Sequence, residues 1–131
     1  MTELVCGDIW FVEGGGDYLN KGRPAVVLHN NEFRSVRSVT VCLLTSNTDS
    51  ASDPLLRVPI RPSLKNGLER PSWLMVDKIQ TVRRSRLKQR IGEAETDVID
   101  AAIELATPFL NCQSGSLTTW RRLRRLLRIS G

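Results

Sequence analysis

The sequence predicts a small, mainly β protein: an antiparallel barrel or half-open sheet with one helix at its C-terminal end. Three observations lead there. Up to residue 92 the chain is a series of short β-branched and aliphatic runs, separated by Gly, Pro, Asn and Ser turn signals. Apolar residues at helical spacing appear only after that point. The chain has 131 residues, enough for one domain with its own hydrophobic core. We divide it into a domain over residues 1–110 and a linker with a basic tail over residues 111–131.

The first strand is DIWFVE, residues 8–13, followed by Gly14, Gly15 and Gly16. Three glycines resemble a phosphate cradle, but neither a Gly-Lys-Ser/Thr nor a helix follows, so a P-loop is rejected. The loop runs to the corner KGRPAVVLHN, residues 21–30, where Gly22 turns the backbone and Pro24 fixes its own φ. Residues 25–29 form the second strand. VTVCLL, residues 39–44, forms the third and delivers the hydroxyls of Thr45 and Ser46 to a strand end. Residues 56–60 are a short strand holding Pro59, which marks it as an edge. After a turn at Lys65, Asn66, Gly67 and Leu68, a strand from Trp73 to Val76 runs toward Ile79. Arg83, Arg84, Ser85 and Arg86 interrupt the sheet before a last short strand over residues 87–91. Thr96 is the expected helix N-cap, with Asp97 in the first turn. Val98, Ile99, Ala102, Ile103, Leu105, Ala106 and Phe109 make one apolar face, and Pro108 should end or kink the helix.

Composition narrows the functional classes. Hydrophobic residues are 40% and charged residues 25%, as in soluble globular proteins. No run approaches the ~20 apolar residues of a membrane span, and the start is not a signal peptide, so the cytoplasm is the expected location. Cys6, Cys42 and Cys112 are far apart and lack a CxxC pair, which fits reduced structural thiols rather than a disulfide framework or a metal site. The single histidine, His29, rules out a two-imidazole acid/base scheme within one chain. Net charge is +5, unevenly spread: residues 51–92 carry ten Lys/Arg against three Asp/Glu, a net of +7. A basic middle segment suggests a polyanionic partner, or else a solvated face.

The ordered motifs GDIWFV (residues 7–12), GRPAVVLHN (22–30), LLTSN (43–47), NGLERPSWLMVDKIQTV (66–82) and RLKQRIG (86–92), with one helix after them, resemble the MazF/PemK toxin endoribonucleases. The resemblance implies an SH3-like barrel acting as a homodimer, and cleavage of single-stranded RNA at short sequences without metal or other cofactor. It also implies a cognate antitoxin whose acidic tail occupies the RNA groove. Arg23 falls on the family's catalytic arginine and Thr45 on its catalytic threonine, while Asp77 lies where some branches carry a catalytic carboxylate. The RNA-binding residues expected around them are Tyr18, Lys21, Asn30, Ser46, Asn47, Lys78 and Gln80. Two departures stand out. The branches with that carboxylate place an arginine two residues earlier, where this chain has Met75. The loop pattern Gly-x-Glu-Gln is replaced by Gly16, Asp17, Tyr18 and Leu19.

The chemistry of these residue types agrees with the implied roles. RNA carries its own nucleophile, the 2′-OH, so cleavage needs positioning and stabilisation of charge on the phosphoryl oxygens. A guanidinium clamps two such oxygens, and its pKa above ~12 makes it a poor proton donor. A threonine hydroxyl both donates and accepts, which suits the phosphate or the 2′-OH. Asp77 has two readings, a base for the 2′-OH proton or a structural carboxylate at a strand end. His29 is assigned a structural role first, and Tyr18 either stacks on an unpaired base or covers the barrel mouth. Two other functions use the same features: a CcdB-like gyrase poison, disfavoured because its C-terminal Trp-Gly-Ile is absent, and a non-catalytic RNA-binding barrel.

Beyond the linker NCQSGS (residues 111–116), LTTWRRLRRLLRI interleaves Trp120, Leu123, Leu126 and Leu127 with five arginines. If these arginines extend the RNA or antitoxin surface, deleting residues 116–131 weakens binding to one of them. Titration of the truncated protein checks this, and unchanged affinity for both assigns the tail no binding role.

Overall fold

The computed structural model describes residues 4–14, 21–29, 37–47 and 54–110. Tyr18, Asn30, Cys112 and the basic tail lie outside them. Six strands form one antiparallel sheet: β1 (Asp8–Val12), β2 (Arg23–Val27), β3 (Ser38–Thr45), β4 (Arg57–Ile60), β5 (Ser72–Arg83) and β6 (Leu87–Glu93). Their order in space is β4-β5-β3-β2-β1-β6, and helix α1 (Thr96–Leu110) follows. β4 is an edge strand, as its Pro59 requires.

The sheet is apolar on both faces because its inner strands are nearly continuous hydrophobic runs. Ile9, Val26, Cys42, Leu44, Leu74 and Val76 gather on one side with Val58 and Ile60, beneath Ala102 and Ala106 of α1. Trp10, Val12, Ala25, Val27, Val41, Leu43 and Met75 form the second cluster. Cross-strand neighbours such as Trp10, Ala25 and Leu43 fall in that one cluster, as the pleat demands.

β4 and β6 share no ladder, and the gap between them is closed by residues 61–68. Asn66, fully buried, holds this segment. Its Oδ1 accepts from the backbone of Ser63 and Leu68 at 3.0 Å each, and its Nδ2 donates to the Arg61 carbonyl and to Glu95, both at 2.7 Å. The Lys65 carbonyl in turn accepts from Glu93 at the end of β6. Gly67 has a φ of +69°, and a Cβ there would stand 2.3 Å from the Ile91 carbonyl oxygen, so only glycine lets the loop close on β6.

Several local expectations are corrected. β2 begins at Arg23, two residues early, because Arg23 and Pro24 pair with Val12 and Phe11 of β1. Pro24 is tolerated there because the ladder to β3 starts only at Ala25. β5 runs past Ile79 to Arg83, and the arginine cluster interrupts the strands from Arg84 on, where a 3-10 turn at Arg84–Arg86 leads into β6. The Glu95 carbonyl accepts the first helical hydrogen bonds, from Val98 and Ile99, which makes Glu95 and not Thr96 the cap. Ile103 and Phe109 are off the buried stripe and exposed. α1 continues through Pro108 to Leu110.

Asn66→Ala should cost at least about 3 kcal/mol, since it leaves two backbone N–H groups and a carbonyl without their partner. Urea denaturation of the purified variant measures this; a loss below about 1 kcal/mol would show that the loop does not depend on Asn66.

Candidate active site

Gly22 sets the entry to the site. Its φ is +75°, and a Cβ at this position would meet the Phe11 ring at 2.4 Å. The missing side chain lets Phe11 pack on the corner and turns the chain so that Arg23 starts β2 directly across from Val12. Arg23 is therefore a paired, half-buried strand residue rather than part of a loop corner.

Thr45 is the last residue of β3, is 5% exposed and pairs with Trp73 of β5. The β2–β3 register joins Ala25 to Leu43. Continued two residues past that rung, it sets Arg23 level with Thr45 on the neighbouring strand. The Thr45 Oγ1 accepts from the Asn47 backbone N–H at 3.1 Å. A hydroxyl held this way at its acceptor side can still donate its proton. Ser46 and Asn47 follow it, both exposed.

Thr45 and Ser46 border an open pocket of about 390 Å³. Pro24, Leu44, Leu68 and Ile91 supply apolar wall, while Thr45, Ser46, Glu69, Arg70 and Ser72 supply polar groups. The Ser72 hydroxyl donates to the Arg70 carbonyl at 3.0 Å, fixing that part of the rim. An unpaired base fits such a wall, with polar groups along its edge. The sequence reading missed Arg70, Glu69 and Ser72. They belong to the quoted NGLERPSW stretch, and only the loop closing on β6 turns them toward Thr45.

Asp77 and Lys78 sit elsewhere. Between the pairs Leu44–Leu74 and Cys42–Ile79, β3 advances two residues while β5 advances five, so β5 bulges at this point. Bulges re-aim side chains, and here Asp77 meets Arg57 of β4. The Arg57 Nη1 donates to Asp77 Oδ1 at 2.5 Å, and Lys78 Nζ donates to Oδ2 at 2.8 Å. Burial raises the pKa of the Asp77 carboxyl, but the hydrogen bonds and charges of Lys78 and Arg57 outweigh it and hold the group below its usual value. Both oxygens are engaged, which makes Asp77 a weak base. Arg57 pairs directly with Met75, so a guanidinium does stand beside the position where the sequence lacks one. Gln80 pairs with Val41, four residues along β3 from Thr45, and is not brought to the pocket. Lys21 is exposed beside Gly22.

Among the described residues, no three His, Cys, Asp or Glu gather into a group that could hold a metal ion. Burial pushes the Cys42 thiol up to about 12, with the Asp77 charge adding to it, and burial also raises Cys6. Neither thiol is activated as a nucleophile. Asp8, another buried carboxylate, is structural: it accepts from the Val5 backbone and from Arg90 at 3.1 Å each, tying β1 to β6.

Asp77→Asn should destabilise the protein by about 3 kcal/mol at pH 7, because Arg57 loses the anion that compensates its burial. The Asp77 pKa is lower in the folded chain, so its ionisation contributes stability in full above the unfolded value near 3.8 and loses it as pH falls through the folded value. The difference between wild type and variant should therefore shrink between pH 5 and pH 2. Urea midpoints across that range check the sign; a gap that widens on acidification contradicts it.

Known proteins share the sequence and the fold of this chain. A probable endoribonuclease MazF from Mycolicibacterium smegmatis is 43% identical over 95 residues, covering 71% of this chain and 84% of that protein. The MazF structure from Deinococcus radiodurans superposes with a TM-score of 0.68 at 20% identity, covering 84% of this chain and 98% of the other. An endoribonuclease in complex with its cognate antitoxin, from a mycobacterial species, superposes with a TM-score of 0.63 at 20% identity, over 82% and 96% of the two chains. The sheet and helix thus have the SH3-like barrel fold of MazF toxins. Residues 6–106 match the family described as PemK-like, MazF-like toxin of type II toxin–antitoxin system, and the chain belongs to that family.

Proposed function

We propose that this chain is the toxin of a type II toxin–antitoxin pair and an endoribonuclease that cuts single-stranded RNA, mRNA above all, in the cytoplasm. The observation that carries this reading is the level placement of Arg23 and Thr45 on adjacent strands, with Thr45 at the rim of the pocket. The 2′-OH attacks the neighbouring phosphorus and gives up its proton to solvent, the bond to the 5′ oxygen breaks, and that oxygen takes up a proton, so the products are a 2′,3′-cyclic phosphate and a 5′-OH. Arg23 balances the charge that grows on the phosphoryl oxygens. Thr45, its hydroxyl oriented by Asn47, donates to the phosphate. Ser46, Asn47 and Lys21 are exposed near them and suited to hold the strand.

Asp77 takes an electrostatic part in this scheme. With both oxygens bound by cations it cannot readily accept the 2′-OH proton, and it organises Arg57 and Lys78 instead. The partners we propose are a second copy of the chain and an antitoxin with an acidic segment, which competes with RNA for the basic surface. A relative solved with its cognate antitoxin supports the latter.

Arg23→Ala should lower cleavage of a long unstructured RNA by a factor on the order of 10²–10³ without unfolding the protein. The assay is run with chelator present, and the 5′ ends of the products are sequenced. Full activity of the variant would sink the assignment of Arg23, and a 3′-OH product end would replace 2′-OH attack by attack of water.

A further inference from the structure

Trp73 is a large aromatic residue that belongs to neither apolar cluster of the described residues. Trp10, by contrast, is a core residue of the second cluster. Trp73 stands half-buried on β5 between Ser72 and Leu74, both of which are buried. A half-exposed apolar side chain is ordinary in itself, and position makes this one informative.

Trp73 pairs with Thr45 of β3 on one side and with Pro59 of β4 on the other. Directly opposed residues of an antiparallel pair point to the same face, with Cβ atoms roughly 5 Å apart. Arg23, level with Thr45 on β2, extends the same row. Three adjacent strands thus present a guanidinium, a hydroxyl and an indole, one strand spacing apart. Pro59, exposed on the edge strand, leaves the row open beyond Trp73. The pocket takes Ser72 into its wall and not Trp73, as the alternation of side chains along β5 requires. An RNA strand at the Thr45 hydroxyl therefore has the pocket to one side and the indole to the other.

The three groups match the parts of a nucleotide. Arg23 and Thr45 suit the phosphate. An indole brings no charge to a phosphate, but its flat apolar face suits a base. Single-stranded RNA leaves its bases unpaired, and aromatic side chains stack on them in such sites. Every base has a π-face, so a stack of this kind contributes affinity and orientation and leaves base identity to polar groups.

We propose that Trp73 is a substrate-binding residue, the platform on which a base flanking the scissile phosphate stacks. This rests on the endoribonuclease reading. A base fixed there holds its own ribose and phosphate close to Thr45, where the reaction needs them.

The test compares wild type with Trp73→Phe and Trp73→Leu, checked for folding by circular dichroism and for oligomeric state by analytical ultracentrifugation. One probe is a uniformly 2′-O-methylated random 20-mer RNA, which offers no nucleophile. The other is a 20-mer of abasic spacers, which keeps the phosphates and has no bases. Trp73→Leu should bind the RNA probe on the order of 10- to 100-fold more weakly, and KM for cleavage of a long RNA should rise with it. Trp73→Phe keeps an aromatic face and should recover most of that loss. All three proteins should bind the abasic probe alike. Binding of the RNA probe should also quench wild-type fluorescence more than that of Trp73→Phe, since Trp10 and Trp120 are common to both. If Trp73→Leu does not fold, this quenching difference decides alone, and its absence overturns the proposal. Unchanged RNA affinity in folded Trp73→Leu overturns it too. So does an equal loss on both probes, which would make the effect structural, or a changed oligomeric state, which would place the indole between copies of the chain. When wild type still cleaves RNA in these cases, the endoribonuclease reading stands without Trp73.

Discussion

One line of pairing across the sheet governs the site: Leu87 to Val12, Val12 to Arg23, then Thr45 to Trp73 and Trp73 to Pro59. A side chain's height and face on a strand depend on register, and a slip of one residue would turn it to the other face. The register is protected because both faces of the inner strands are buried, so any slip would expose one apolar set. Gly22 completes the constraint by letting the chain enter β2 under the Phe11 ring. Backbone pairing thus sets Arg23 and Thr45 level on neighbouring strands.

Closure of the sheet is a second, separate device. The β4–β5 loop does not pair with β6 as a strand; it is folded by the side chain of Asn66 and pressed on β6 at Gly67. The same loop builds half of the pocket wall. Stability and substrate shape are therefore joined in one segment, and Glu95 ties that segment to the start of α1. The bulge in β5 is a third device, because it lets Asp77 reach Arg57 on the edge strand.

The charges divide into two kinds. Asp8 with Arg90 is a strap between strands whose function ends with the fold. Asp77 with Arg57 and Lys78 ties β4 to β5, and the buried Nε and Nη2 of Arg57 have no hydrogen-bond partner. A purely structural ion pair in the interior satisfies its donors, since desolvation otherwise outweighs the attraction.

The strands, the edge position of β4 and helix α1 were legible in the sequence because apolar runs, Pro59 and the 3.6-residue period act locally. Arg23 and Thr45 were legible as candidates because a charged fork and a hydroxyl stood beside buried strands, in motifs with a recognisable order. Their mutual position was not, since it depends on a register between segments some twenty residues apart in the chain. Arg70 and Arg57 looked like two of many arginines in a basic segment. Only the folded chain distinguishes them, one by a loop that turns it to the pocket and the other by a bulge that buries it beside Asp77. Sequence alone determined which residues could do the chemistry; tertiary pairing decided which of them meet, because burial and hydrogen-bond satisfaction are properties of neighbours in space.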